Sequence, residues 1–411
     1  MDKRFEGRDE PVIDPGMPII DAQHHLFDRP SVRYLFGEYL ADTSLGHTIL
    51  ASVYVETLAM ARVDGPDLLR PIGEVEFANG AAMSASGNYG PCRVAAAIVG
   101  HADLRNGDAV AELLDRALAA APDRFRGIRQ LTMEHPGDAP WRFVTNRPAA
   151  GILASPGFRP AFRHLAPRGL CFDAAVFHHQ LPELSDLAGA YPDTTIVLDH
   201  MGQPMALGMD EEGRTEVFAS WREGLTELAR HPNVVCKVGG LGQPFWGFGF
   251  ERRADQIGYL ELASAWRPYV ETAIEAFGVD RCMMESNFPV DGRSCGFVPL
   301  WNALKHIVKG ASETEKTALF HGTAARVYRL AALDPWIPRQ SDIRAGSGAS
   351  IIVRLHGRAF EEVLFTSNGL ETLTGNYRRV AGRGLGIPFW RRRRASPGWR
   401  PSSVRASVAR R

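Results

Sequence analysis

The chain has 411 residues, of which 45% are hydrophobic and 23% are charged, and its formal net charge is zero. This composition predicts a soluble globular protein with a large core and excludes a mainly disordered chain, and the length fits one large barrel with an appendage or two modest domains. Membrane-spanning and disulfide-framework proteins are not expected, because long apolar runs are absent and the five cysteines are scattered without a CxxC pair.

The charge is distributed unevenly along the chain. Residues 334–411 carry 15 arginines and only 5 acidic residues. Because the whole chain has no net charge, the rest of the chain carries an equal excess of acidic residues. We therefore expect an N-terminal extension over 1–16, a globular part over 17–333 and a basic tail over 334–411. The extension is polar and lacks the apolar segment of a secretory signal, which predicts a cytoplasmic location.

Eight short apolar runs in the globular part read as buried parallel strands, since their apolar residues are continuous rather than alternating. These runs are Met17–Asp21, Ile49–Glu56, Val94–Gly100, Phe125–Arg129, Cys171–His178, Thr195–Asp199, Val234–Val238 and Cys282–Glu285.

Amphipathic helical patterns lie between the strands, over Ala109–Ala121, Val217–Arg230 and Ala263–Phe277. A last helix opens at Ser312, where Glu315 three residues later completes a capping-box pattern. Eight strand–helix repeats predict a closed α/β barrel, of the (β/α)8 TIM type. A doubly wound open sheet is the alternative, and the lack of a GxGxxG motif after the first strand weakens a dinucleotide-binding version of it.

The tail from 334 to 411 has only two short apolar runs, Ile351–Val353 and Val363–Phe365, and an arginine run at Arg391–Arg394. It cannot build much core, so we predict that it is poorly structured or disordered. An arginine run can bind phosphate surfaces, but a solvated tail without a partner is the favoured interpretation.

Polar residues are concentrated at the predicted strand ends, which in a barrel enzyme meet at one mouth and carry the chemistry. They are Gln23, His24, His25, Glu56, His101, Asp103, Arg129, His178, His179, Asp199, His200, Lys237, Glu285, Ser286 and Asn287. Imidazole suits both transition metals and proton transfer near neutral pH. One histidine at a strand end is usually an ordinary hydrogen-bonded residue, but histidines at four strand ends indicate a catalytic site.

Six segments around these residues resemble the motifs of one protein family, and they follow one another in the order that the family shows. They are Asp21–His25, Gly127–Arg129, His179–Pro182, Val197–Pro204, Val235–Leu241 and Glu285–Asp291. The chain from about 17 to 333 resembles the amidohydrolase superfamily, in the branch that includes sugar lactonases and dicarboxylate-lactone hydrolases. The resemblance implies a (β/α)8 barrel and a hydrolase, and it does not extend to the tail.

Two positions depart from the pattern of that branch. Its first strand typically ends in Asp-x-His-x-His, and here Gln23 replaces the first histidine while His25 keeps the second. The strand-8 aspartate that holds the metal and accepts a proton in metal-dependent members is Asn287 here. Because amides are neutral and poor ligands for transition metals, a two-metal site is not expected. The expected cofactor is none, or one divalent metal such as zinc.

The resemblance places catalysis at His25, His179, His200 and Asn287. The three histidines are candidate bases for water, and they are also the candidate ligands of a single metal site. Neighbouring strand residues point to opposite sides, so one histidine of each adjacent pair is expected to face the barrel interior and the other the helices. The resemblance implies that His25 and His179 are the ones that face the interior.

Four further residues are expected to bind the substrate. Arg129 and Lys237 can stabilise an oxyanion or hold a substrate carboxylate. Glu56 can receive substrate hydroxyls, or it can form a buried ion pair with either cation. Asp291 can restore the carboxylate lost at Asn287, or it can be an ordinary loop residue.

The predicted function is hydrolysis of a small cyclic ester, a lactone, by water activated at a histidine of the barrel mouth. The alternatives are a metal-dependent decarboxylase of the same superfamily and a catalytically lapsed barrel that binds a ligand or partner. An anionic or hydroxylated small molecule is the expected substrate. No membrane or nucleic-acid partner is expected, and a homo-oligomer is left open.

Overall fold

A computed structural model describes residues 10–330, except residues 31 and 86–91, together with five short strands beyond residue 349. The chain forms two compact units, Met1–Leu333 and Asp334–Arg411. The first unit contains the eight predicted strands and the helices between them, which confirms the predicted barrel.

The barrel strands form one parallel sheet in sequence order. They are β1 Pro18–His24, β2 Thr48–Val55, β3 Arg93–His101, β4 Phe125–Leu131, β5 Cys171–Ala175, β6 Ile196–Leu198, β7 Val234–Val238 and β8 Cys282–Met284. The first and last strands meet through a parallel bridge between His24 and Phe288. The Asp21 carboxylate strengthens this junction, since it accepts hydrogen bonds from the Ser286 backbone N–H (2.7 Å) and hydroxyl (2.6 Å).

Inward-facing side chains change from apolar to charged along several strands. In β5, in β7, and from β8 into the residues that follow it, an apolar side chain is followed two positions later by a charged one. These pairs are Cys171 and Asp173, Val235 and Lys237, and Met283 and Glu285. All six side chains are buried. Alternation along a strand therefore builds an apolar layer inside the barrel with a charged layer above it, toward the carboxyl ends.

Helices surround the sheet and enclose the main apolar core against its outer face. They are α1 Phe36–Thr43, α2 Ile72–Ala85, α3 Val110–Ala120, α4 Phe158–Phe162, α5 Leu181–Ala190, α6 Glu211–Leu228, α7 Tyr259–Phe277, α8 Phe297–Ile307, α9 Glu313–Thr317 and α10 Thr323–Val327. No described helix is both long enough and apolar enough to cross a membrane.

Local capping explains where two helices begin. The capping box of Ser312 and Glu315 is present at the start of α9, as predicted. Helix α6 begins six residues before the predicted start, because the Asp210 side chain accepts the Gly213 N–H (3.0 Å) and caps the first turn.

Strand β5 is three residues shorter than predicted. It ends at Ala175, and His178–Gln180 form a single helical turn instead. The Gln180 side chain stabilises this turn, since it accepts the Phe177 N–H (3.2 Å) and donates to the Thr132 carbonyl (2.8 Å). The alternation of side chains along a strand, from which the directions of His178 and His179 were predicted, therefore ends before these two residues.

The described part of the N-terminal extension is fastened to helix α8. The Asn302 side chain accepts the Ile13 N–H (2.7 Å) and donates to the Pro11 carbonyl (3.0 Å). The Lys305 ammonium donates to the carbonyls of Ile13 (3.0 Å) and Asp14 (2.7 Å). Residues 11–14 are thus an ordered part of the barrel unit.

In the second unit the described segments form an antiparallel sheet of five strands, in the order β12-β11-β10-β9-β13. These are β9 Ser350–Arg354, β10 Ala359–Thr366, β11 Gly369–Asn376, β12 Arg391–Arg394 and β13 Ala406–Ala409. The other residues of the tail lie outside the described part of the chain, and their predicted lack of structure stays a prediction.

Tyr328 packs inside the barrel and offers a test of this interior layer. Its ring belongs to the interior apolar cluster, and its hydroxyl donates to Asp173 (2.8 Å). We expect Tyr328→Ala to lower the free energy of unfolding by about 3–5 kcal/mol through the cavity it leaves. Tyr328→Phe removes one hydrogen bond and should cost about 1 kcal/mol. Urea unfolding of both variants measures this, and equal losses would contradict the packing role of the ring.

Candidate active site

A cavity of about 280 Å³ opens at the carboxyl ends of the barrel strands. Among the residues that line it are His25, Glu56, His101, Arg129, His200, Gln203, Gln243 and Asn287. Five of the eight predicted site residues are in this set. Lys237 and Asp291 lie buried behind it, and His179 lies elsewhere.

At the end of β1 the two neighbouring histidines point to opposite sides, as predicted. His24 faces outward and stacks on Tyr39, with ring centroids 4.0 Å apart. His25 faces the cavity, and its Nδ1 lies 2.8 Å from the Val55 carbonyl oxygen. Because a carbonyl only accepts, Nδ1 carries the proton, and the Nε2 of the neutral ring presents a lone pair. Burial, followed by the charge of Arg129, holds the pKa of His25 well below its ordinary value.

The Gln23 carboxamide nitrogen lies where three acceptors converge. It is 3.1 Å from His25 Nε2, 3.2 Å from Asn287 Oδ1 and 3.4 Å from His200 Nε2. Gln23 is completely buried beneath the cavity. Sequence reasoning treated this residue as a lost ligand, and the structure makes it the centre of a hydrogen-bond cluster.

His200 and Glu285 form a buried pair at the ends of β6 and β8. The His200 Nδ1 is 2.5 Å from Glu285 Oε1, which turns Nε2 toward the cavity, where its one contact is the long one to the Gln23 nitrogen (3.4 Å). Burial opposes the charged ring, but the charge of Glu285 and its hydrogen bond outweigh that effect and raise the pKa of His200. The predicted site omitted Glu285, because a carboxylate at a strand end does not reveal which histidine it meets.

The position of His200 depends on the backbone around it. His200 has a positive φ of 52°, and Gly240 in the loop after β7 lies against its ring. A Cβ on Gly240 would lie 2.4 Å from His200 Nδ1, so only glycine fits beside the ring.

Lys237 is completely buried among two carboxylates and one amide. Its ammonium donates to Asp173 Oδ2 (2.6 Å), Gln23 Oε1 (2.7 Å) and Asp199 Oδ1 (3.0 Å). Burial alone would lower the pKa of Lys237, but the two carboxylates raise it, so the ammonium stays charged. Lys237 therefore contacts the cluster beneath the cavity rather than the cavity itself.

Arg129 is also paired with carboxylates. Its guanidinium donates to Glu56 Oε1 (2.9 Å), the Glu56 carbonyl (2.7 Å) and Asp199 Oδ2 (3.3 Å). Both predicted cations are therefore paired with buried acids. Glu56 takes the ion-pair role that the sequence analysis left open.

Asp291 lies behind Asn287 rather than in the cavity. Its Oδ1 accepts the Asn287 side-chain amide (2.8 Å) and its Oδ2 accepts the Gly242 N–H (2.8 Å). Burial raises the pKa of Asp291 to about 7. These contacts turn the Asn287 oxygen inward, where it accepts the Gln23 side-chain amide (3.2 Å), and make Asp291 an orienting residue.

His179 does not join the other histidines. It is exposed on the helical turn after β5, and its Nε2 contacts the Glu134 carbonyl (2.8 Å). The expected metal site of His25, His179 and His200 is therefore not formed, because β5 ends before the histidine pair.

The remaining donors do not fit a divalent metal. Two imidazoles converge with two neutral amides, and amides are weak ligands for transition metals. Over the described residues, no cluster of three His, Cys, Asp or Glu side chains is arranged to hold a metal ion. The chemistry of this site is therefore derived from its own side chains.

Sequence reasoning also missed Gln203. It follows His200 in a left-handed turn (φ 34°), its side chain lines the cavity, and its Oε1 is buried without a hydrogen-bond partner in the described part of the chain. The Nδ1 of His101 has the same property. Both atoms mark places where a ligand could supply the missing hydrogen bond.

Known proteins resemble the chain over its barrel. The chain is 37% identical over 326 residues to the uncharacterized protein y4mH of Sinorhizobium fredii, which covers 76% of this chain and 98% of that protein. It is 27% identical over 289 residues to an L-fucono-1,5-lactonase of Burkholderia multivorans, covering 66% of this chain and 88% of the lactonase.

A solved structure agrees with these sequence relatives. The crystal structure of an amidohydrolase from Burkholderia multivorans, obtained with bound HEPES and in another crystal form with bound zinc, matches with a TM-score of 0.59 and 25% identity. The match covers 76% of this chain and 99% of that one. A family model described as Amidohydrolase matches residues 20–330. The chain belongs to the amidohydrolase family and is a hydrolase of that family.

Proposed function

We propose that the protein hydrolyses a neutral, hydroxylated lactone. The observation that carries this proposal is the His200–Glu285 pair, a histidine backed by a buried carboxylate with its Nε2 directed at a polar cavity. The relatives named as L-fucono-1,5-lactonases support the choice of a sugar-type lactone. A lactone is more reactive than an amide, so one well-placed base and one oxyanion donor can suffice.

His200 acts as the base in this mechanism. Its Nε2 takes a proton from a water molecule while the water oxygen bonds to the lactone carbonyl carbon. Glu285 holds the Nδ1–H and stabilises the imidazolium that forms. The ring C–O bond then breaks, and the proton passes from His200 to the leaving alkoxide. The product is an open-chain hydroxy acid.

Arg129 stabilises the oxyanion of the tetrahedral intermediate. A guanidinium has five N–H groups, and the contacts to Glu56 and Asp199 use three of them. The side chain lines the cavity, so the remaining N–H groups are available to the carbonyl oxygen. His25 is unsuited to this role because its neutral ring offers a lone pair to the cavity rather than a proton.

The polarity of the cavity favours a neutral polyol over a dianion. Both buried cations are paired with acids, and Arg105 at the cavity wall is paired with Asp103. The open hydrogen-bonding atoms, Oε1 of Gln203 and Nδ1 of His101, suit substrate hydroxyls, which donate as well as accept.

The proposal is tested with a panel of sugar lactones, carboxylated lactones and aromatic carboxylic acids, followed by proton release and carbon dioxide detection. We expect hydrolysis of the neutral sugar lactones and no decarboxylation. His200→Gln should lower kcat by about 10²–10⁴-fold, as the loss of a general base does. Hydrolysis that survives His200→Gln, or carbon dioxide release from the aromatic acids, would contradict the proposal.

The pH dependence tests the pairing of His200 with Glu285. His200 must be neutral to accept a proton, so the rate should rise with pH through its raised pKa. Replacing Glu285 by Gln removes the charge that raises this pKa, so the acidic limb of the kcat profile should move to lower pH. The kcat should fall on the order of 10²-fold, because the imidazolium loses its counter-charge. An acidic limb that stays in place would assign the titration to another group.

A glycine pair tests the position of His200 independently. Gly240 and Gly249 both have positive φ, of 66° and 73°, but only Gly240 contacts the His200 ring. Gly240→Ala should lower kcat by about 10²-fold through displacement of the base. Gly249→Ala meets open space and serves as the matched control for backbone strain. Similar kcat values in the two variants would show that the contact does not position the base.

A further inference from the structure

The geometry points to the Gln23 carboxamide as a replacement for a metal cation: its NH2 group holds the ring nitrogens of His25 and His200 and the Asn287 oxygen at the centre of the site. The distances of 3.1 to 3.4 Å from one nitrogen to three acceptors carry this inference. It goes beyond the proposed reaction and does not depend on which substrate is cleaved.

Lys237 fixes which end of the amide faces the histidines. An ammonium has three N–H groups, and Lys237 directs them to Asp173, Asp199 and Gln23 Oε1. Since Lys237 cannot accept a hydrogen bond, the amide oxygen must face it and the NH2 group must face the opposite side. Turning the amide around would place two donors against each other in a fully buried position.

The three acceptors are fixed in the complementary state by contacts on their far sides. His25 has its proton on Nδ1 at the Val55 carbonyl, and His200 has its Nδ1 at the Glu285 carboxylate. The Asn287 amide nitrogen is directed at Asp291, so its oxygen faces inward. Three lone pairs therefore converge on one point, as they would around a cation, and the two amide hydrogens are shared among them, with the longest contact at His200 Nε2 (3.4 Å).

The same contacts disfavour a metal at this point. Zinc binds nitrogen at about 2.0–2.1 Å, so an ion on His25 and His200 would have to displace the amide nitrogen that lies between them. Gln23 would then have to leave Lys237, whose buried ammonium would lose one of its three acceptors. Positive charge is already supplied through the Lys237 ammonium, which is one hydrogen bond behind the amide.

An isosteric change tests this inference without reference to turnover. Gln23→Glu keeps an oxygen for Lys237 and turns the other oxygen toward the two rings, which creates a set of two imidazoles and one carboxylate, a combination that binds zinc. The full-length wild type and variant are equilibrated with zinc chloride, passed through a desalting column and analysed for metal by mass spectrometry. We expect less than about a tenth of an equivalent in the wild type and about one equivalent in Gln23→Glu.

Gln203→Glu is the matched control. It adds the same carboxylate to the same cavity, away from the point of convergence, and should retain no more zinc than the wild type. Near-stoichiometric zinc in the wild type would overturn the inference, as would a folded Gln23→Glu protein that retains no more zinc than the control. A failed lactone assay would leave these results unchanged, so the two proposals fail separately.

A second measurement uses only the wild type. Long-range ¹H–¹⁵N spectra report the lone-pair state of each ring nitrogen, and His25→Gln and His200→Gln assign the signals. At a pH above the raised pKa of His200, we expect both Nε2 signals in the unprotonated position, unchanged when zinc chloride is added in excess. A zinc-dependent shift of either signal would overturn the inference even if Gln23→Glu does not fold.

Discussion

The active-site arrangement depends on one buried interaction, the Lys237 ammonium between Asp173 and Asp199. A buried ammonium is tolerated only when each of its N–H groups has a hydrogen-bond acceptor. Gln23 accepts from the third N–H group of Lys237. This last bond sets the direction of the amide, so that its NH2 group faces the ring nitrogens that the Val55 carbonyl and Glu285 leave unprotonated. A structural ion pair inside the barrel therefore orients the donor at the centre of the site.

The groups that contact the Nδ1 atoms separate the roles of the two histidines at the cavity. Glu285 raises the pKa of His200, whereas His25 has a carbonyl partner and Arg129 nearby, so its pKa is lowered. The imidazoles at the ends of β1 and β6 thus differ in basicity because their Nδ1 partners differ. Of the two histidines, only His200 is basic enough to take a proton from water. Only His200 also has a carboxylate beside it to balance the charge of that proton.

The sequence predicted the parts of the site that follow from strand geometry. Continuous apolar runs located the eight strands, and the rule that chemistry lies at their carboxyl ends brought His25, His200 and Asn287 to one mouth. His179 lies outside the cavity because the chain leaves the strand for a helical turn at His178–Gln180. The alternation of side chains along a strand does not reveal this turn. The Glu285 pairing and the direction of the Gln203 side chain toward the cavity depend on left-handed backbone after β6, for which the sequence contains no local signal other than neighbouring glycine.

The two departures from the family pattern form a consistent pair when they are considered together. Replacing a histidine by Gln23 alone would leave a ligand set with one weak member, and replacing a carboxylate by Asn287 alone would remove the base. With both changes, each amide has an ionisable partner behind it, Lys237 for Gln23 and Asp291 for Asn287, and each partner fixes which amide atom faces inward. Their inward atoms are opposite in kind, a donor and an acceptor 3.2 Å apart, and they bond to each other. The substitutions therefore complement one another through hydrogen bonding, which is the relation expected of a site that relies on its own side chains to position the base.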